Sequence, residues 1–141
     1  MDAIQVGIDL VEIGEVRAAI GKFGERYLSR IYTEHELAYA SSSEGQRVAR
    51  LAARFAAKEA VIKVLKPTDE PVPWRDIEVR RTPSGACEVA LSGFAAELSR
   101  KAGIVRISVS LTHHGDHAAA VAAALCVQPG AAGSEAPRAP G

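Results

Sequence analysis

The sequence has no excess of charge of either sign, because its 17 lysine and arginine residues equal its 17 aspartate and glutamate residues. This balance excludes a protein that is held to nucleic acid or to a membrane surface by its overall charge, so a charged partner must be recognised by a local patch. Cysteine is also scarce: the 2 cysteines, Cys87 and Cys126, have no metal-binding or redox spacing. Their apolar surroundings favour free buried thiols over a disulfide, and hence a reducing compartment.

Long apolar runs are absent as well. No uncharged stretch is long enough to span a bilayer, and the first residues do not show the basic segment and apolar run of a signal peptide. We therefore expect a cytoplasmic protein.

What the chain does contain is typical of a small α+β domain. Its 141 residues, 48% of them hydrophobic, are enough to bury a core. We place the folded domain at residues 1–127. Residues 128–141 are mostly Pro, Gly, Ala and Ser and have too little apolar surface to offset the entropy of ordering, so this tail is predicted to be disordered.

Local patterns predict most of the secondary structure. Alternating apolar residues bounded by turn residues predict strands at 4–13, 76–81, 86–91 and 105–111. Helical spacing and capping residues predict helices at 12–23, 33–39, 46–66 and 93–102. Residues 118–127 are ambiguous, because their alanine content favours a helix while their periodicity is weak.

The predicted helix at 46–66 carries two charged residues, Glu59 and Lys63, on an otherwise apolar face. One interpretation is an ion pair along the helix, worth about 0.3 kcal/mol. The other is that Glu59 contacts a metal ion and Lys63 contacts an anion. The helix alone leaves both interpretations open.

Asp9 interrupts an otherwise apolar strand, although aspartate is disfavoured in strands. It either faces solvent from an edge strand or has a function that offsets this cost. Asp9 and Glu59 lie on different elements and could converge on Mg2+, which binds one or two carboxylates and completes its coordination with phosphate oxygens and water.

Three of the 4 histidines fall in THHGDH, residues 112–117, after a predicted strand. Since His and Asp are good zinc ligands, one interpretation is the zinc site of a hydrolase, formed by His113, Asp116 and His117. The other is an ordinary polar turn.

Five segments together resemble the holo-acyl-carrier-protein synthase family of phosphopantetheinyl transferases. They are GIDLVEI (7–13), RFAAKEAVIKVL (54–65), WRDIEVRR (74–81), the spacing of Gly85, Leu91, Gly93, Ala95 and Gly103, and SVSLTHHGDHAAAVA (108–122). The second segment is the most specific. The resemblance implies the α+β fold of that family, in which an antiparallel sheet packs against a long central helix, and makes 118–127 its last strand. It also implies a homotrimer with active sites between subunits.

The resemblance further implies the reaction. The chain would use Mg2+ and move the 4'-phosphopantetheine group of coenzyme A to a serine of an apo acyl carrier protein, releasing adenosine 3',5'-bisphosphate. Asp9 and Glu59 would hold Mg2+, while Arg54, Lys63 and His113 would contact coenzyme A. Glu59 would accept the serine proton, directly or through a metal-bound water, and Lys63 would stabilise the leaving group.

Acyl carrier proteins are typically acidic, which directs attention to Lys22, Arg26 and Arg30. These residues recur at four-residue intervals, so they form one basic docking stripe if the stretch is helical. The alternative is a solvated face.

The sequence also departs from the family pattern. Glu15 stands where a basic residue is usual, and the loop at 66–73 is rich in proline and charge rather than glycine. Further departures are Cys87, His114 and His117. They leave open whether the carrier serves fatty acid and lipid, polyketide or peptide synthesis. They also support an alternative, in which a non-catalytic relative binds the carrier or coenzyme A without turnover.

Overall fold

The computed structural model describes residues 2–127. The predicted disordered tail at 128–141 lies outside the described residues, so that tail and the domain boundary at residue 127 stay predictions. Within the described range, no helix is both long and apolar enough to cross a membrane.

An antiparallel sheet of five strands forms one layer of the molecule. The strands are β1 (Asp2–Glu12), β2 (Ile77–Arg81), β3 (Cys87–Leu91), β4 (Ile104–His114) and β5 (His117–Val127), in the spatial order β1-β5-β4-β3-β2. β5 pairs with β1 and β4 along nearly its full length, whereas β3 and β4 share only a short register around Cys87 and Val109. The predicted antiparallel sheet is confirmed.

The second layer is helical. Its helices are α1 (Ile13–Phe23), α2 (Glu25–Ile31), α3 (Glu34–Ser41), α4 (Arg47–Leu65) and α5 (Gly93–Lys101). The long helix α4 packs on the sheet, and α1 and α3 pack on α4. The sequence prediction missed α2 and found the others within a few residues. A capping box opens α3, since Thr33 and Glu36 exchange bonds between their side chains and backbone amides.

Small side chains explain how closely α4 approaches the sheet. The inner face of β5 consists largely of buried alanines, and the face of α4 toward the sheet also buries alanines, among them Ala56 and Ala60. Residues 117–127 are therefore a strand although alanine favours helix, because pairing on both edges and packing against α4 outweigh local propensity.

A buried ion pair joins α3 to α4. The side chains of Glu36 and Lys58 are 0% exposed, and Lys58 Nζ lies 2.8 Å from Glu36 Oε1. Lys58 also donates to the carbonyl oxygens of Trp74, at 3.1 Å, and Ile77, while Glu36 Oε2 accepts from the amide of Val79 at 2.7 Å. Each ammonium proton therefore has an acceptor, which is the condition under which a buried charge pair is tolerated.

The face of the sheet opposite α4 is apolar and exposed along β1. Strand alternation turns four β1 side chains away from the helix, and they are 63% to 70% exposed: Ile4, Val6, Ile8 and Leu10. A contiguous apolar surface of this kind marks a site of association. We call these four residues the outer face of β1.

Candidate active site

Asp9 lies on the inner face of β1, toward α4, although β1 is an edge strand. Gly7 on the same face permits the close approach of strand and helix, because a Cβ there would lie 2.3 Å from the carbonyl oxygen of Ala60. The side chain of Asp9 is only 19% exposed. Of the two interpretations that the sequence left open, the structure therefore disfavours a carboxylate that simply faces solvent.

α4 brings Glu59 and Lys63 to the same place. Lys63 Nζ donates to the carbonyl oxygen of Ile8 at 2.7 Å and to Asp9 Oδ1 at 3.3 Å. Within residues 2–127, Lys63 is paired with Asp9 and not with Glu59, so the ion pair along the helix is not found. Burial raises the pKa of the Glu59 carboxyl, the charge of Asp9 raises it further, and Lys63 lowers it in part. We call Asp9 and Glu59 the carboxylate pair.

The carboxylate pair suits a hard divalent cation. Two partly buried carboxylates that repel each other gain when a cation is bound between them, and Mg2+ takes one or two carboxylates with water and phosphate oxygens in its other positions. Across residues 2–127, no three His, Cys, Asp or Glu side chains are grouped so that they could hold a metal ion by themselves. Water and the oxygens of a bound ligand would therefore have to complete the coordination.

Arg54 lies apart from the carboxylate pair. Arg54 precedes Glu59 by five residues, which turns the two side chains about 140° apart around the axis of α4. The charge environment of Arg54 includes Cys87 at the start of β3. Since β5 and β4 separate β1 from β3, a strand spacing of about 4.8 Å puts these two strands roughly 14 Å apart. Arg54 is therefore separate from the cluster of Asp9, Glu59 and Lys63, whereas His113 lies on β4, with only β5 between it and β1.

Arg54 and His113 instead line a cleft of about 590 Å³, whose wall also includes Tyr39, Arg50 and Arg81. We call it the arginine cleft. Arg54 is 2% exposed, burial lowers the pKa of its guanidinium, and its Nε has no hydrogen-bond partner within the described range. A buried donor without an acceptor, beside an open cleft, indicates a binding site for an anion.

The sequence prediction did not include Tyr39, Arg50 or Arg81. One signal was present: Arg50 and Arg54 are four residues apart on the predicted helix, and like charges at that spacing destabilise a helix. Tyr39 and Arg81 gave no such signal, because they reach the cleft from α3 and β2.

The THHGDH segment is a tight hairpin, in agreement with the interpretation as a polar turn, and the predicted strand at 105–111 extends into it. β4 continues to His114, which pairs with His117, and the turn is Gly115–Asp116. Gly115 has a φ of 60°, which glycine adopts without strain, so the two strands can join in two residues. His113 pairs with Ala118 and His114 with His117, so strand alternation directs His113 and His117 to opposite faces, and no metal-holding group is found in the described part. The zinc interpretation therefore has no structural support.

The three predicted docking residues do not form one helical stripe. Gly24, with a φ of 56°, ends α1 and separates Lys22 from Arg26 and Arg30 on α2. All three side chains are exposed, but only Arg26 and Arg30 share a helix face. The assumption that Lys22, Arg26 and Arg30 lie on one continuous helix is therefore wrong. Their role in docking the carrier protein stays a prediction.

Known proteins resemble this chain over most of its length. The family model described as the 4'-phosphopantetheinyl transferase superfamily matches residues 5–122. A curated relative, the holo-[acyl-carrier-protein] synthase of Anaeromyxobacter sp. (strain K), is 41% identical over 123 residues, which cover 85% of this chain and 92% of the relative.

Solved structures agree in fold. The ACPS–CoA complex of Chronobacterium ammoniagenes is 32% identical, has a TM-score of 0.78, and is matched over 89% of this chain and 98% of that one. The acyl carrier protein synthase of Mycobacterium tuberculosis is 40% identical with a TM-score of 0.67, over 86% of this chain and 97% of that one.

Proposed function

The chain belongs to the 4'-phosphopantetheinyl transferase superfamily, and we propose that it transfers the 4'-phosphopantetheine group of coenzyme A to a serine of an apo acyl carrier protein. The products are the holo carrier protein and adenosine 3',5'-bisphosphate. The observation that carries the proposal is the convergence of Asp9, Glu59 and Lys63 between β1 and α4. Curated relatives of this chain are named holo-[acyl-carrier-protein] synthases, and one of the similar solved structures is a complex with CoA.

The chemistry follows from these side chains. The serine oxygen attacks the phosphorus that carries pantetheine, and the bond from that phosphorus to the adenosine bisphosphate oxygen breaks. Glu59 accepts the serine proton, directly or through a water molecule. Lys63 is 54% exposed, so it can turn from Ile8 and Asp9 to the leaving phosphate and stabilise the charge that develops there.

The carboxylate pair is our proposed Mg2+ site. Burial and, after it, the charge of Asp9 raise the pKa of Glu59, and a divalent cation bound to these two oxygen donors would relieve both costs of the charged form. When bound, Mg2+ would neutralise charge on the pyrophosphate of coenzyme A.

Arg54 and His113 are assigned to the nucleotide end of coenzyme A. Arg54 turns away from the carboxylate pair around the axis of α4, and this separation favours a coenzyme molecule that binds between two subunits. A homotrimer closed by head-to-tail contacts would place the carboxylate pair of one subunit beside the arginine cleft of the next. The exposed outer face of β1 supports such an assembly, because it needs a partner surface.

Lys22, Arg26 and Arg30 are the proposed docking residues for the acidic carrier protein. Their exposure supports this role, and the two helices that carry them follow directly after β1. Lys22 also lies 5.3 Å from the ring centroid of the half-exposed Phe23, so this surface offers charge beside an apolar side chain. The free thiols of Cys87 and Cys126 are in keeping with a reaction in the cytoplasm.

Intact-mass spectrometry of an apo carrier protein tests the function. Incubation with the protein, coenzyme A and Mg2+ should add one phosphopantetheine group, and a chelator should prevent the addition. Glu59→Gln should lower the rate by about 100-fold or more, because it removes both a proposed metal ligand and the base. The matched control is Glu97→Gln, the same change on the exposed face of α5.

Two outcomes would overturn parts of the proposal. Full activity of Glu59→Gln would contradict the assigned site. Calorimetric binding of coenzyme A without transfer to fatty-acid, polyketide or peptide carriers would instead indicate a non-catalytic binder.

A further inference from the structure

Tyr39 contacts every arginine of the arginine cleft. The Cζ atoms of Arg50 and Arg54 lie 4.5 Å and 4.3 Å from the centroid of its ring, within the distance of about 6 Å at which a cation is attracted to an aromatic face. Its hydroxyl accepts a hydrogen bond from Arg81 Nη1 at 3.3 Å. One side chain on α3 thus orients guanidinium groups that come from α4 and β2.

The backbone of Tyr39 adds to this effect. Arg50 Nη1 donates to the carbonyl oxygen of Tyr39 at 3.1 Å and to Ser42 Oγ at 2.9 Å. Ser42 Oγ donates in turn to the same carbonyl oxygen at 2.7 Å. Arg50 is therefore held by both the ring and the backbone at the end of α3.

The positive charge gathered here has no counter-charge in the cleft. The cleft lining within residues 2–127 contains three arginines and His113 but no acidic side chain. Glu36 is the carboxylate that acts electrostatically on Arg54, and it is already paired with Lys58. Arg54 Nε is buried without an acceptor. Three guanidinium groups match a phosphate monoester, which carries nearly two negative charges, better than a phosphodiester, which carries one.

We propose that Tyr39 is a positioning residue that gathers Arg50, Arg54 and Arg81 into a binding site for a phosphate monoester. The inference rests on the proposed function and deepens it, because coenzyme A carries one phosphate monoester, on its ribose, in addition to its pyrophosphate. Tyr39 acts through the arginines and takes no part in the transfer step, which occurs at the carboxylate pair.

Steady-state kinetics with coenzyme A and with dephospho-coenzyme A test this role. Tyr39→Leu should raise the KM for coenzyme A at least about tenfold, since it weakens several charge-assisted hydrogen bonds. Its kcat should stay within about twofold, because the transfer step lies on the other side of α4. The wild type should have a higher KM for dephospho-coenzyme A, and Tyr39→Leu should change that KM by no more than about twofold. Tyr39→Phe keeps the ring and loses only the bond to Arg81, so its KM for coenzyme A should rise by only about twofold to threefold.

Arginine variants provide the matched control. Arg81→Gln should raise the KM for coenzyme A, whereas Arg100→Gln, the same change at an exposed position on α5 outside the cleft, should not. If circular dichroism shows that Tyr39→Leu is unfolded, Tyr39→Phe and Arg81→Gln decide the question. An unchanged KM in these variants, an equal rise in KM for both coenzymes, or a loss confined to kcat would overturn the inference.

Failure of the proposed function is distinguishable from failure of this inference. If the wild type transfers nothing, calorimetry with adenosine 3',5'-bisphosphate still tests the site. A Kd at least about tenfold weaker for Tyr39→Leu than for the wild type would support the inference, and equal Kd values would overturn it.

Discussion

Replacement of Glu36 by Gln should lower the free energy of unfolding by about 3–5 kcal/mol, because it leaves the Lys58 ammonium buried without its counter-ion. Both side chains are 0% exposed, so solvent does not screen the loss. Lys58 would keep its bonds to the carbonyl oxygens of Trp74 and Ile77, but neither acceptor carries a full charge. Val79 would face a carboxamide in place of a carboxylate.

Replacement of Lys58 by Met should also cost about 3–5 kcal/mol, because it leaves the Glu36 carboxylate buried without its counter-ion and with only its two hydrogen bonds from backbone amides. The double variant should be less destabilised than the sum of the two single variants, since no unpaired charge remains in it.

The pH dependence gives the more specific test. Burial lowers the pKa of Lys58, and Glu36 partly opposes this effect. The unfolded chain therefore binds the proton of this lysine more tightly than the folded chain does. The contribution of Lys58 to stability is lost as pH falls through the lowered folded pKa, and it is regained as pH rises toward the ordinary pKa of lysine. Without Glu36 the pKa of Lys58 in the folded state falls further, so its contribution to stability begins to return at a lower pH. The deficit of Glu36→Gln relative to the wild type should therefore shrink as pH rises toward the ordinary lysine pKa of about 10.4, while that of Lys58→Met should not.

Urea unfolding followed by circular dichroism measures these differences at each pH. The protein concentration must be equal for all variants, because assembly shifts the unfolding midpoint. A cost below about 1 kcal/mol for Glu36→Gln, or a deficit that does not change with pH, would refute the reasoning.

Two further predictions concern glycine and assembly. Gly93→Ala should cost about 2–3 kcal/mol in urea unfolding, because Gly93 has a φ of 50° and a Cβ would lie 2.8 Å from Asp76 Oδ2, which accepts hydrogen bonds from the first amides of α5. Gly21→Ala, in α1 with nothing within 4 Å, is the control and should gain about 0.5–1 kcal/mol; equal effects would contradict the explanation. Ile8→Lys should keep the helical circular dichroism but shift sedimentation toward the monomer and reduce transfer, and a fully active assembly would argue against the outer face of β1 as an interface.

Local sequence patterns predicted most of the fold because most elements have local causes. The capping box at Thr33 and Glu36 and the proline after α4 act within a few residues, and both appear in the structure. β5 has no local cause: its alanines favour a helix, and only pairing with β1 and β4 makes them a strand. The family resemblance supplied that element, whereas composition alone did not.

The residues of the candidate site also fall into those that the sequence predicts and those that only the packing of the chain reveals. Asp9 and Glu59 stood out because a carboxylate in an apolar strand or on an apolar helix face is costly, and the structure brings them together. Tyr39 and Arg81 are ordinary surface types in the sequence, and only the packing of α3 and β2 beside α4 places them at one cleft. The basic stripe failed because it assumed a continuous helix, which Gly24 interrupts.

A single helix thus carries both halves of the proposed site on opposite sides. Glu59 and Lys63 face β1, while Arg50 and Arg54 face α3. No rotation of side chains within one subunit can bring them together, because α4 is fixed to the sheet by buried alanines and by the ion pair at Lys58. If the two sets reach one coenzyme molecule from neighbouring subunits, as proposed, transfer depends on assembly, and the apolar outer face of β1 is then as necessary to the reaction as the residues that perform it.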